Sequence, residues 1–357
     1  MNTDRHHHYM LKALQLAERG RYSVSPNPMV GCVIVKNDCI VGEGFHLLAG
    51  SDHAEIIALK AAGESASGAT VYVTLEPCPH QGATPPCTDA LIAAKVKKVI
   101  IACQDPHTKV AGKGIAVLIA AGIEVIVGVN EEAARALNAR FFHFITQRMP
   151  FVIAKWAMSL DGLTQTHVKD SRIISSPASH LDAHHLRHEV DAILVGANTA
   201  RLDNPQLTTR LPNVKRQPLR IVLTMQSRLR PNLHLFQTPE EARTLVVTTP
   251  GNEPYYRALQ LKGVEILSGP LDAAGKIDLI QFLKILGKRG ISSLLIEGGR
   301  MTQESFFAEH LVNKVQVYVA PVIIASLSQK KPLINFSATQ MGADVCFTGN
   351  IEGSHYV

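Results

Sequence analysis

Residues 51–60 read S-D-H-A-E-I-I-A-L-K and residues 73–87 read V-T-L-E-P-C-P-H-Q-G-A-T-P-P-C. Together they bring one imidazole, His53, two thiols, Cys78 and Cys87, and a carboxylate, Glu55, two positions from the imidazole. A catalytic zinc takes three protein donors and leaves its fourth tetrahedral position to water, whose pKa it lowers to about 7. His53, Cys78 and Cys87 make such a set. Glu55 is left over, free to take a proton from the water and pass it to a leaving nitrogen.

The flanking sequence sets expectations for the backbone. Residues 71–75 alternate as a strand and stop at Glu76-Pro77, so Cys78 is expected to leave the sheet edge in a loop. Residues 88–94, T-D-A-L-I-A-A, have helical composition after two prolines. That places Cys87 near a helix N-terminus, where the dipole favours a thiolate. Residues 54–62 also read as helix, and there the geometry is less comfortable. At about 100° per residue, His53 and Glu55 point about 200° apart on a regular helix. One site can use both if they lie in the first turn and Glu55 curls back over the helix end. Two other readings stay open. The thiols could be buried small apolar groups, which is the expectation for Cys32, Cys39, Cys103 and Cys346. Alternatively the zinc site is closed and structural, with His80 as fourth ligand, which leaves Glu55 without a role.

H-A-E at 53–55 with P-C at 77–78 and 86–87 resembles the cytidine-deaminase superfamily, whose thiols usually sit in P-C-x-x-C; here eight residues separate them. The long form with T-P-P-C at 84–87 is accompanied by P-N-P-M-V-G-C-V-I-V at 26–35, G-E-G-F-H at 42–46 and Q-D-P at 104–106. In these motifs the chain resembles the bifunctional deaminase/reductase family of riboflavin biosynthesis, over nearly its whole length. The resemblance implies an α/β protein: an N-terminal cytidine-deaminase-like three-layer α/β/α domain followed by a dihydrofolate-reductase-like α/β domain. It implies one Zn2+ per chain at the carboxyl ends of the first domain's strands, NADPH in the second domain, and Asn27, His46, His80 and Thr84 around the pyrimidine and its phosphate.

Length and composition agree with two globular domains. The 357 residues are 46% hydrophobic and 18% charged, which excludes a disordered chain. A formal charge of +6 suits nucleic acid or a phosphorylated small molecule equally, but no Lys/Arg run marks a nucleic-acid stripe. Six cysteines without regular spacing argue against a disulfide framework, and thiolate ligands fit a reducing compartment. The N-terminal M-N-T-D-R-H-H-H-Y-M lacks the apolar core of a signal peptide, and no stretch approaches a membrane span, so a cytoplasmic protein is expected. His6, His7 and His8 read as the polar lead-in to a helix over 10–18.

Along the chain, a hairpin is expected from 31–36 and 40–44 across Asn37-Asp38. After the H-A-E helix, strands at 71–75, 99–102 and 123–127 alternate with helices at 88–94, 114–121 and 131–139, the pattern of a layered α/β unit. The domains divide as 1–148 and 149–357, because Pro150 ends a helical run and a strand starts at Phe151. The second half offers strands at 192–196, 219–223, 244–248, 264–266, 293–297 and 315–320, and helices at 179–190 and 279–288. At 294–297 a buried strand runs into Gly298-Gly299-Arg300 and a helix over 301–308. Such a glycine pair lets a phosphate approach the helix-end N–H groups, although a tight turn explains it equally well.

A-K-W-A-M-S-L-D-G at 154–162, L-R-H-E-V-D-A-I-L-V-G at 186–196, N-T-A-R-L-D-N-P-Q-L-T-T-R at 198–210 and E-G-G at 297–299 resemble the reductase half of the same family. Carried over by position, Ser171, Arg187, Leu207, Arg210 and Glu297 face the substrate. Ala157, Ile173, Thr199, Asp203, Gly299, Arg300, Met301, Thr302, Gln303, Glu304 and Ser305 face the cofactor, with Lys155 and Asp161 in support. The chain departs from the family's pattern at Ile173, Thr224-Met225, Leu163 and Val322-Ile323-Ile324. His180, His184 and His188 recur at helical spacing and read either as a solvated face or as a metal-binding stripe.

The function these readings imply has two steps. The first is zinc-dependent hydrolytic deamination of 2,5-diamino-6-ribosylamino-4(3H)-pyrimidinone 5′-phosphate, and the second is NADPH-dependent reduction of its ribosyl group to ribityl. The partner is this small phosphorylated pyrimidine, without nucleic acid or membrane, and the protein is expected to be a homo-oligomer, a dimer first. Two rivals are an RNA-acting deaminase and a zinc deaminase whose second domain is a degenerate scaffold. An aromatic content of 5% gives the first little with which to stack bases.

Overall fold

The structure is a computed structural model that describes residues 2–81, 85–108, 110–164, 174–214, 216–225, 229–326, 329–341 and 344–351. The chain divides into two compact units, Met1–Phe151 with Leu283–Ser293, and Val152–Phe282 with Leu294–Val357. Among the described residues no helix is long and apolar enough to cross a membrane.

The first unit begins with α1 (Asn2–Glu18), then β1 (Gly31–Lys36), β2 (Cys39–Phe45), α2 (Ala54–Ala62), β3 (Thr70–Val73), α3 (Cys87–Ala93), β4 (Lys98–Ile101), α4 (Lys113–Ala120), β5 (Glu124–Val127), α5 (Glu131–Leu137) and α6 (Ala139–Gln147). The strands form one sheet in the order β2-β1-β3-β4-β5. β1 is antiparallel to β2 and β3, and β3, β4 and β5 are parallel. Asn37 and Asp38 both have positive φ, 49° and 61°, as a two-residue hairpin turn requires.

Period-two alternation distributes the strands' side chains between two cores. Cys32, Ile34, Val71, Val73, Val99 and Ile101 pack with Ala54 and Ala58 of α2, Leu91 of α3 and Leu118 of α4. Val33, Val35, Tyr72 and Ile100 pack with Tyr9, Met10, Ala13 and Leu14 of α1, Ala134 of α5 and Phe141 and Phe142 of α6. The result is the expected three-layer α/β/α arrangement. Gly44 lets α2 sit close on β2, since a Cβ there would lie 2.3 Å from the Ala54 carbonyl oxygen.

Three expectations need correction here. His6–His8 lie inside α1 rather than ahead of it, and the His6 imidazole nitrogen Nδ1 is 3.0 Å from the Tyr72 hydroxyl. The helix expected over 131–139 breaks at Asn138, whose buried side chain is used on Met29, accepting its N–H and donating to its carbonyl, each at 2.8 Å. Cys39 and Cys346 are exposed, because one opens the edge strand after the hairpin turn and the other lies on a C-terminal strand; Cys32 and Cys103 are buried.

The second unit is built on a seven-stranded sheet. Its elements, in chain order, are β6 (Phe151–Ser159), α7 (Pro177–Glu189), β7 (Ala192–Gly196), α8 (Ala197–Asp203), β8 (Leu219–Leu223), β9 (Thr244–Thr248), α9 (Arg257–Gln260) and β10 (Glu265–Ser268). After α10 (Leu279–Lys288), most of which falls in the segment grouped with the first unit, follow β11 (Ser293–Glu297), α11 (Arg300–Ala308) and β12 (Lys314–Ala320). The strand order is β10-β9-β8-β7-β11-β6-β12. Every residue of β7, β9 and β11 is buried, the pattern of parallel strands covered on both faces. Three further strands, β13 (Val322–Ser326), β14 (Gln329–Met341) and β15 (Asp344–Ile351), pair antiparallel. These strands and α8 were not anticipated from the sequence.

Candidate functional site

The geometric difficulty at H-A-E disappears in the backbone. His53 is the N-cap of α2, extended at φ −72° and ψ 161°, and its carbonyl accepts the Ile57 N–H at 3.1 Å. It therefore stands off the helical wheel, while Glu55 lies in the first turn, 3% exposed. Cys87 is the first residue of α3, as its sequence context implied, and Cys78 lies in the loop after β3.

His53 Nδ1 lies 3.2 Å from Cys87 Sγ and 3.5 Å from Cys78 Sγ. All three donor atoms fall within 4.8 Å of one another. Around a tetrahedral zinc, nitrogen at about 2.0 Å and sulfur at about 2.3 Å stand about 3.5 Å apart, so the spacing fits that ion. Among the described residues no other set of three His, Cys, Asp or Glu side chains converges in this way. His80 is exposed and outside the set. His180, His184 and His188 are not such a set either. Burial and neighbouring cations, Arg187 and Arg210 among them, push His184 down to about 4.

The donors titrate as a linked group. The Cys87 thiol hydrogen-bonded to Cys78, together with His53, holds Cys78 down to about 4. The same hydrogen bond and burial push Cys87 upward, so the pair keeps a proton that metal binding would release. Burial raises the Glu55 carboxyl above its ordinary value, against the pull of His53. Beside the donors, the buried His46 has Nδ1 3.2 Å from the Asp52 carbonyl oxygen and Nε2 3.1 Å from Asn27 Nδ2. Nδ1 therefore donates and Nε2 accepts, the pattern of a neutral imidazole, and burial lowers its pKa accordingly. Asn27 and His46 are thus joined, whereas Thr84 lies outside the described residues.

The second cluster joins α7, β11 and the segment after α8. Arg187 donates through Nε to Glu297 Oε1 at 2.5 Å and through Nη2 to Oε2 at 2.8 Å. Its Nη1 donates to the Thr208 carbonyl at 3.2 Å, and Lys155 Nζ is 3.8 Å from Glu297 Oε2. Burial opposes ionisation of Glu297, but Arg187 prevails and holds the carboxyl down to about 2. Leu207 is buried with φ 55°, and Arg210 is exposed, its Nη1 donating to Gln206 and its backbone N–H to His184.

The cofactor candidates follow the carboxyl ends of β7 and β11. Gly298 and Gly299 have φ of 81° and 77°, and a Cβ on Gly299 would lie 2.9 Å from Thr199 Oγ1. Thr302 stands against Gly196, and Gln303 donates to the Lys155 carbonyl at 3.1 Å. Arg300 and Glu304 pair with each other on the exposed side, and Ser305 donates to the Met301 carbonyl. Asp203 is exposed at the end of α8, and Ala157 lies on β6. Asp161 accepts the Ile324 N–H, fixing the start of the C-terminal strands. Ser171 and Ile173 lie outside the described residues.

Sequence reading passed over Glu76, a buried carboxylate ringed by backbone N–H groups two residues before Cys78. The available signal was an acidic residue closing an apolar strand next to Pro-Cys.

Comparison with known proteins finds likeness in both units. The model of the cytidine and deoxycytidylate deaminase zinc-binding region matches residues 3–103, and that of the RibD C-terminal domain matches residues 150–340. The riboflavin biosynthesis protein RibD of Aquifex aeolicus is 45% identical over 316 residues, 88% of this chain and 87% of its own. The structure of Acinetobacter baumannii RibD (form 1) superposes with a TM-score of 0.82 at 37% identity, covering 98% of this chain and 99% of the other. A Thermotoga maritima diaminohydroxyphosphoribosylaminopyrimidine deaminase/5-amino-6-(5-phosphoribosylamino)uracil reductase gives 0.79 at 32%, covering 97% and 98%.

Proposed function

We propose, because the chain belongs to the RibD family of riboflavin-biosynthesis proteins, that its two units carry out consecutive steps on one phosphorylated pyrimidine. The protein is a bifunctional enzyme, a deaminase joined to a reductase. In our reading residues 1–148 deaminate 2,5-diamino-6-ribosylamino-4(3H)-pyrimidinone 5′-phosphate, and residues 149–357 reduce the ribosyl group of the product to ribityl. The observation that carries the first step is the convergence of His53, Cys78 and Cys87 beside the buried Glu55.

One zinc ion held by His53, Cys78 and Cys87 would supply the Lewis acidity that makes water nucleophilic near neutral pH. Glu55 moves one proton of the attacking water to the adjacent ring nitrogen and the other to the amino nitrogen, which leaves as ammonia while the carbon becomes a carbonyl. Its raised pKa suits a group that must hold a proton and give it up within one turnover. Asn27, held by the neutral His46, orients the pyrimidine through its remaining hydrogen-bonding capacity.

In the second unit NADPH would supply hydride to the ribosyl carbon. The open backbone at Gly298-Gly299, with Thr199 and Thr302 beside it, receives the cofactor's phosphates. Arg187 is committed to Glu297 and fixes that carboxylate toward the sugar, which leaves the more exposed Arg210 for the substrate phosphate. A polynucleotide-acting deaminase and a second unit kept only as scaffold are not favoured, since likeness to riboflavin-biosynthesis proteins runs through both halves. The reading places the enzyme in the cytoplasm, where thiolate ligands stay reduced, as a homodimer.

Mass spectrometry of the pyrimidine after incubation with zinc-loaded protein and NADPH tests both steps. The expected product is deaminated and reduced. A deaminated, unreduced product would overturn the second step, and unchanged substrate in the presence of bound zinc would overturn the first.

A further inference from the structure

One buried carboxylate takes no part in the chemistry above. Glu76 is 4% exposed and lies between the end of β3 and Cys78. Its Oε1 accepts the N–H groups of Gly114 at 2.9 Å and Ile115 at 3.2 Å. Its Oε2 accepts those of Gly112 at 3.0 Å and Asp105 at 3.3 Å. A carboxylate has about four lone-pair sites, so these donors fill it and leave no capacity for a metal. Three of the four belong to the N-terminal end of α4, whose amides find no acceptor within the helix and whose dipole favours an anion.

The same helix end lies against the peptide that leads into Cys78. A Cβ on Gly114 would stand 2.0 Å from the Pro77 carbonyl oxygen. Pro77 itself has a fixed φ and no N–H to make another bond. Beyond it, the Cys78 carbonyl accepts the Thr88 N–H at 3.3 Å and the Thr88 hydroxyl at 3.5 Å, one residue past Cys87. Cys78 is therefore suspended between two anchors, Thr88 on the side of the other thiol and Glu76 on the side of α4.

We infer that Glu76 is a positioning residue for the metal centre: by binding the N-terminus of α4 and the Asp105 N–H, it sets the position of the Cys78 thiol relative to His53 and Cys87. The inference rests on those three residues being the zinc ligands. Groups that orient metal ligands typically contribute about 10–100-fold to metal affinity.

The test compares wild-type protein with Glu76→Gln, whose amide replaces one acceptor by a donor facing N–H groups. Zinc affinity is read by chelator competition, and the cobalt-substituted protein is read by its thiolate-to-cobalt absorption. NADPH-dependent reduction of the already deaminated substrate reports that the protein is folded. Zinc affinity should fall about 10–100-fold and the cobalt spectrum should change, with reduction retained. Unaltered affinity and spectrum in the variant would overturn the inference, whereas a wild-type protein that binds no zinc would overturn the ligand reading beneath it. Should the variant fail to fold, amide exchange of wild-type protein decides: zinc should slow exchange at Gly112, Gly114 and Ile115, and equal rates with and without zinc would overturn the link.

Discussion

The donors of the proposed zinc centre lie within 34 positions of one another in the chain, whereas Arg187 and Glu297 are 110 positions apart. The first site gathers an imidazole, two thiols and a buried carboxylate from an N-cap, a loop and the first residue of a helix. It concentrates donors and acids around a point where a cation fits. The second closes its charges on itself, with a forked Arg187–Glu297 pair and Lys155 nearby. The difference implies opposite sensitivities. The first site should fail through loss of an ion or a proton carrier, and the second through exposure of an uncompensated buried charge.

The largest expected effect separates the ion from the proton carrier at the first site. Glu55→Gln should retain zinc and lower the rate of ammonia release by about 10²–10⁴-fold, the usual worth of a positioned acid/base group. Cys87→Ala should lose zinc and deamination together. Metal content and ammonia release measured on both variants check the division of roles; zinc-free Glu55→Gln protein would break it.

How far each site could be read in the sequence follows the same contrast. The H-A-E, P-C and P-C segments announce their chemistry because ligand types and spacing are local, and α2, β1 and β7 to β9 were legible from apolar periodicity and flanking turns. The placement of His53 was not, because an N-cap lies outside the helical period that governs its neighbours. Asn138 and Glu76 escaped for another reason: their side chains are spent on backbone groups 109 and 29 to 39 positions away, which no window of sequence contains. In the second unit, family likeness pointed to Arg187 and Glu297 separately. That they grip each other is a tertiary contact between α7 and the carboxyl end of β11, which no window of sequence contains.

The next prediction concerns that grip. The Arg187 and Glu297 side chains are 14% and 10% exposed, so Arg187→Ala takes away the forked partner of a buried carboxylate and leaves it only Lys155 at 3.8 Å, a loss of up to about 3–5 kcal/mol. The pH dependence has a definite sign. Glu297 is held at about 2 when folded, below its ordinary 4.5, so its stabilisation is present above 4.5 and disappears as pH falls toward 2. In Arg187→Ala burial pushes the carboxyl upward with only Lys155 and His184 opposing it, so acid unfolding should lose most of this component. Urea unfolding between pH 2 and 6 checks it, and identical pH profiles for wild type and variant would show that the pair contributes nothing to stability.

The smallest expected effect lies at the open backbone beside that pair. Gly299 has φ 77° and ψ 96°, where a Cβ costs about 1–2 kcal/mol, and the added atom would stand 2.9 Å from Thr199 Oγ1. Gly299→Ala should therefore raise the KM for NADPH about tenfold, the equivalent of about 1.4 kcal/mol, with ammonia release unchanged. Strain and contact can be separated, because Thr199→Ala added to Gly299→Ala removes the contact and leaves the strained backbone. A double variant that recovers part of the loss assigns the remainder to strain at Gly299, and full recovery would make the contact the whole cause. A Gly299→Ala protein with a wild-type KM would detach this loop from the cofactor, and the second site would then consist of the ion pair alone.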